Sequence, residues 1–171
     1  MSSYHAEHLR GIPWGFSSPT LILVSPDLKI PPSWETHPMV TLISVFGLNI
    51  RKGGTLLLDQ IEHVVKQDQI ERILLVTQFP CQLHQEILSN EIYNAGLQED
   101  LAATKLILKN GCLHFYDQIS QTLNYLELQA DFLEAYLAFG NPESKRKPTI
   151  DALLYETAKL SKSVYHLAKP N

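Results

Sequence analysis

TLILVSPDLKIPP, residues 20–32, is the stretch on which the reading of this chain turns. Residues 20–24 are apolar or β-branched without alternation and run straight into Ser25-Pro26-Asp27. An unbroken run of that kind predicts a strand buried on both faces, of the sort found inside a parallel sheet, ending at a turn. Just past its end the chain carries a hydroxyl (Ser25), a carboxylate (Asp27) and an ammonium (Lys29) on alternate residues. The carboxyl ends of parallel strands are where open α/β folds keep their ligand sites, so any chemistry is expected here.

Working outward, residues 39–46 repeat the apolar, β-rich pattern and predict a second strand interior to the sheet. Between the two strands Pro31-Pro32 forces an extended exit, and residues 34–38 read as a loop. Leu57, Leu58, Ile61, Val64 and Val65 recur at helical spacing, which predicts an amphipathic crossover helix over residues 55–68. Residues 73–76 then give a third buried strand. Strand, strand, helix and strand in that order predict an α/β fold with a mostly parallel central sheet flanked by helices.

The remainder is assigned by the same periodicities. Residues 1–18 read as an irregular N-terminal arm whose His5 and His8 are more simply inert than metal-binding. Residues 80–110 are expected to be helical with a break near Asn94-Ala95-Gly96, and residues 112–116 to form a strand after the Asn110-Gly111 turn. Residues 118–121 are read as a turn into an antiparallel edge strand at 122–128, and residues 130–139 as a short helix stopped by Gly140-Asn141-Pro142. Thr149 is read as the cap of a C-terminal helix over 149–168, with Ile150, Leu153, Leu154, Thr157, Ser161, Val164 and Ala168 on one face.

Composition narrows the function. A chain of 171 residues with 44% hydrophobic content suits one soluble domain, here 1–171, with a full core. Its net charge of −4 and scattered Lys and Arg leave no basic face for nucleic acid or an anionic membrane, and Lys145-Arg146-Lys147 reads as a solvated loop. Two cysteines, Cys81 and Cys112, are too few for a disulfide framework, and no signal peptide or long apolar span stands out, so the expected location is cytoplasmic.

The third strand runs into Gln78-Phe79-Pro80-Cys81-Gln82-Leu83-His84. Pro80 suits the first position of a helix, which puts Cys81 in a first turn, where backbone amides favour thiolate. The strand ends bearing Ser25 and Asp27 and those bearing Gln78 and Cys81 are therefore expected to converge. Gly53-Gly54 before the crossover helix lacks the spacing of a phosphate-binding loop.

These residues resemble the β-class carbonic anhydrases. In that family the first strand ends in Cys-x-Asp-x-Arg, often followed by Val-Pro-Pro, and Ser25-Pro26-Asp27-Leu28-Lys29-Ile30-Pro31-Pro32 stands in that place. The third strand ends in His-x-x-Cys, matched by Gln78-Phe79-Pro80-Cys81, and Leu113-His114-Phe115-Tyr116-Asp117 looks like a later strand of the family. The resemblance implies a zinc site made by two cysteines and a histidine, with an Asp-Arg pair that gates the fourth position. Carried over, the ligand positions are Ser25, Gln78 and Cys81, and the gating pair is Asp27 and Lys29. Only Cys81 keeps a zinc-binding side chain, since a hydroxyl and an amide cannot replace a thiolate and an imidazole. Lysine also lacks the bidentate fork of arginine.

The resemblance thus implies a carbonic anhydrase-like protein without the usual zinc, its pocket at Ser25, Asp27, Lys29, Gln78 and Cys81 taking a small anion such as bicarbonate or serving a regulatory partner. It also implies a homodimer or higher oligomer. Two alternatives stay open. An active carbonic anhydrase would hold zinc with Cys81, Asp27 and the substitute His84 and make hydroxide for attack on CO2. A thiol enzyme would use Cys81 as nucleophile with Asp27 or His84 as base. Cys112 and His114 are expected at the opposite end of the sheet from Cys81, too far to join either site.

Overall fold

The computed structural model describes residues 5–9, 15–50, 54–79, 118–140, 147–156 and 163–168. Six strands form one sheet: β1 (His5–Leu9), β2 (Thr20–Val24), β3 (Val40–Ser44), β4 (Arg72–Phe79), β5 (Thr149–Glu156) and β6 (Ser163–Ala168), in the order β1-β6-β5-β4-β2-β3. The four strands β3, β2, β4 and β5 are parallel to their neighbours, while β6 runs antiparallel to β5 and β1 antiparallel to β6. The mostly parallel sheet with antiparallel edge pairing is the expected α/β architecture.

β2 lies between two parallel partners and every one of its residues is buried, as its unbroken apolar run requires. Its alternating side chains divide the core in two. Leu21 and Leu23 join Ile73 and Leu75 of β4 and Ala152 and Leu154 of β5 on one face. That face is covered by helices α2 (Gly54–Gln67), through Leu58 and Ile61, and α3 (Gln118–Gly140), through Leu126, Ala130 and Leu133. Ile22 and Val24 point to the other face with Leu74, Val76 and Leu153, where Trp34 of the single-turn helix α1 (Pro32–Glu35) closes a smaller cluster. Phe16 meets Trp34 edge-on with ring centroids 5.4 Å apart, so the segment before β2 also packs on this face.

Four expectations are corrected. The second strand is not interior: among the described residues β3 ends the sheet with β2 as its one strand neighbour, and Ser44 is exposed. Trp34 belongs to α1 rather than to a loop. Residues 118–128 are neither turn nor edge strand but the first half of the 23-residue α3, which continues through the helix expected at residues 130–139 and ends at Gly140 as expected. Its buried positions Thr122, Tyr125, Leu126, Gln129, Ala130 and Leu133 follow the helical period over several turns, which a window of seven residues cannot separate from a strand.

Finally, residues 149–168 are not a C-terminal helix but contain β5 and β6 paired antiparallel, with Ala152 opposite Leu167 and Tyr155 opposite Val164. Ile150 to Leu154 are buried on both faces, the signature of an interior strand, and the helical spacing of their apolar residues is coincidental. β6 in turn recruits His5–Leu9 out of the N-terminal arm, with Glu7 opposite His166. The strand beside β4 is therefore β5, whereas the strand expected at residues 112–116 and the helix expected at 80–110 lie outside the described residues.

Candidate functional site

Two strands define where a ligand site can form. From β2 the chain passes α1 on one face and returns as β3; after β4, the next described helix, α3, packs on the opposite face before β5. The order therefore reverses between β2 and β4, and a crevice outside their carboxyl ends is the usual ligand position in open α/β sheets. The expected convergence of these two strand ends is present. Val24 pairs with Val76, and the Ser25 N–H donates to the Val76 carbonyl at 3.0 Å. On the other side the Val45 N–H donates to the Val24 carbonyl at 2.8 Å.

Ser25 is thus seated between β3 and β4 at the rim, and it is 2% exposed. Its hydroxyl donates to the carboxylate of Asp27 across the turn, which is closed by the Leu28 N–H bonding to the Ser25 carbonyl at 3.0 Å. Asp27 is half-buried and Lys29 exposed. The Asp27 carboxylate therefore faces its own strand end, and Lys29 makes no ion pair among the described residues. Gln78 lies at the same rim on β4, half-buried and opposite Tyr155 of β5. Cys81 and His84 lie outside the described residues, as do Cys112 and His114.

Sequence reading passed over two residues of the rim. Thr77 follows Val76 on β4 and is 1% exposed, and the hydroxyl of Tyr155 is buried beside Gln78's strand position; neither hydroxyl has a hydrogen-bond partner among the described residues. Burial without a partner pushes the Tyr155 phenol well above its ordinary range. Both sit at the carboxyl ends of inner parallel strands, a location that β5, misread as helix, concealed.

The segment after β3 completes the surroundings. The turn Phe46–Leu48 holds Gly47 and Leu48 at φ 57° and 50°, and α3 braces it from inside: the Tyr125 hydroxyl donates to the Gly47 carbonyl at 3.1 Å, and the Ile50 N–H donates to Gln129 Oε1 at 2.9 Å. This turn rests against β4.

A hydroxyl committed to a carboxylate and a primary amide are weak ligands for zinc, and no group of three or more His, Cys, Asp or Glu is arranged for a metal among the described residues. What the rim offers is hydrogen bonding: hydroxyls, an amide, a carboxylate and a nearby ammonium.

No protein-family model matches this chain, and no curated protein matches it. Solved structures do. A β-carbonic anhydrase of the filamentous fungus Aspergillus fumigatus, CafD, superposes with a TM-score of 0.67 at 15% identity, over 94% of this chain and 98% of that one. A tetrameric β-carbonic anhydrase of Sordaria macrospora gives 0.58 at 15% identity over 83% and 77%, and the Coccomyxa enzyme in complex with acetazolamide gives 0.57 at 12% over 84% and 69%. At these identities the likeness is one of architecture, and it spans nearly the whole of both chains in the first case. The chain has the fold of the β-carbonic anhydrases.

Proposed function

We propose that this protein keeps the β-carbonic anhydrase fold without the family's usual zinc-dependent hydration of CO2, and that the rim at Ser25, Asp27, Lys29 and Gln78 binds a small oxyanion such as bicarbonate. The observation that carries this reading is the Ser25 hydroxyl. It stands where the resembled family places a cysteine thiolate, it is buried, and it is engaged with Asp27. A metal there would lack two of its three protein donors. Lys29 supplies the positive charge that an anion needs and is not neutralised by an ion pair among the described residues.

A homo-oligomer goes with this reading. β3 ends the sheet with the uncharged sequence Val40-Thr41-Leu42-Ile43-Ser44, only partly covered, and the Sordaria macrospora protein of the same fold is described as tetrameric.

Elemental analysis of protein purified without chelators, with CO2 hydration assayed on the same sample, tests the first half. The expected result is substoichiometric zinc and no hydration, before and after zinc addition. Near-stoichiometric zinc with chelator-sensitive hydration overturns it and favours a site rebuilt around Cys81 and His84. Bicarbonate titration followed by thermal unfolding, with chloride holding ionic strength constant, tests the second half; a saturable rise in the midpoint that is lost in Lys29→Ala is expected.

A further inference from the structure

Six polar or charged residues are buried among the described residues: Thr20, Ser25, Thr77, Thr122, Gln129 and Asp151. Five have partners. Thr20 donates to the Ser18 carbonyl, Ser25 to Asp27, Gln129 accepts from Ile50, Asp151 accepts from Arg72, and Thr122 is also engaged. Thr77 is the exception, with a hydroxyl that is closed off and has no hydrogen-bond partner among the described residues.

Its position gives this significance. Ser25 and Thr77 are the residues that follow the paired Val24 and Val76, so they lie side by side on the two strands that flank the reversal in strand order. By the alternation of the strands both project to the side of Leu21, Leu23, Ile73 and Leu75. On Thr77's other side is Leu154, which is fully buried and offers no hydrogen bond. Valine has the same shape as threonine and a higher strand propensity, and at an apolar position it avoids the penalty for an unpaired hydroxyl. A buried, unpaired polar atom at the carboxyl ends of the strands that flank a reversal in strand order is a candidate for ligand contact.

We propose that the Thr77 hydroxyl is a ligand-binding group, donating a hydrogen bond to an oxygen of the oxyanion held at this rim. The inference rests on the anion-binding reading above and adds the residue that reads the ligand from below. The neighbouring groups fit an anion that carries a proton. Thr77 and Lys29 donate, while the Ser25 oxygen and Asp27 accept, so a hydrogen-bearing oxyanion finds partners for both its oxygens and its O–H.

The test compares wild type, Thr77→Val and Thr77→Ser as full-length protein, with thermal unfolding in chloride and across a bicarbonate titration at constant ionic strength. In chloride alone, Thr77→Val is expected to unfold at a higher temperature than wild type. Its apparent bicarbonate affinity is expected to fall about tenfold, the scale of one buried hydrogen bond to a charged group. Thr77→Ser is expected to bind as wild type does, because it keeps the hydroxyl. Unchanged affinity in Thr77→Val overturns the inference, as do equal losses in both variants, which would reflect packing. A wild type that bicarbonate does not stabilise removes the anion site altogether. A wild type that responds, alongside a valine variant that responds equally, removes only Thr77.

Discussion

The Ser25 hydroxyl donates to the Asp27 carboxylate two residues on, so the residue that ends the most deeply buried strand is tied down by its own turn. Removing the acceptor leaves a hydroxyl that is 2% exposed without that partner. Asp27→Ala is expected to lower unfolding stability by about 1–3 kcal/mol in urea titrations, and Asp27→Asn, which keeps an acceptor oxygen, by less. Equal losses in the two would show that the turn, rather than the hydrogen bond, matters.

The same pair bears on the metal. Replacing Ser25 and Gln78 together with the residues of the resembled family, Ser25→Cys with Gln78→His, restores soft donors at the ends of adjacent strands. The double variant is expected to retain zinc through gel filtration, measured by elemental analysis, while neither single variant does. Failure of the double variant to take up zinc would mean that the rim has lost the geometry as well as the donors.

α3 and the turn after β3 are joined by a buried bond, Ile50 N–H to Gln129 Oε1 at 2.9 Å, with Gln129 5% exposed. Gln129→Leu preserves bulk and orphans the Ile50 N–H, which is expected to cost about 1–3 kcal/mol. Tyr125→Phe removes the hydroxyl that reaches Gly47 and is expected to cost about 1 kcal/mol. Chemical denaturation of each variant checks both values.

A second charged cluster lies at the opposite end of the sheet. Asp151 on β5 accepts from Arg72 Nε at 2.8 Å and Nη2 at 2.5 Å, and His166 Nε2 on β6 is 3.8 Å away, so one carboxylate links three neighbouring strands. Its side chain is only 10% exposed. Asp151→Ala removes the buried carboxylate that Arg72 bonds and is expected to destabilise the fold by about 3 kcal/mol near neutral pH.

That contribution depends on pH with a definite sign. Burial raises the Asp151 pKa, but the nearby His166 and the hydrogen bonds and charge of Arg72 outweigh it, leaving the carboxyl below its ordinary value. A depressed folded-state pKa gives stability that is complete above the unfolded-state value and disappears as pH falls through the folded one. The gap between wild type and Asp151→Asn, from urea titrations at several pH values, is expected to hold from neutral pH to about 5 and to narrow below about 4. A gap that widens in acid would contradict the assignment.

The parts of the fold legible in the sequence were those with a strong local period. β2, the crossover helix α2 and β4 were placed within a few residues, because an unbroken apolar run and a five-position amphipathic stripe each have one economical explanation. The likeness of residues 20–32 to one family's strand end pointed to the architecture that the structural neighbours share. The first half of α3 is not legible in the sequence, because its polar first turn and a short alternating patch look like a turn and a strand when seen alone.

The site was legible only in part. Ser25, Asp27, Lys29 and Gln78 stood out because their side chains carry charge or hydrogen bonds at a strand end. Thr77 did not, since a threonine within an apolar strand is unremarkable until the structure reveals that its hydroxyl lacks a partner among the described residues.

By itself, then, the sequence determined the inner parallel strands and the side chains available at their ends, since these follow from hydrophobic period and residue chemistry. Only tertiary structure decided that β3 sits at an edge, that residues 149–168 form strands, that His5–Leu9 pairs with β6, and that Asp27 bonds Ser25 rather than Lys29. Pairing across more than a hundred residues, and the choice of partner for a carboxylate, depend on which surfaces meet once the chain has folded, and no local window of sequence contains that information.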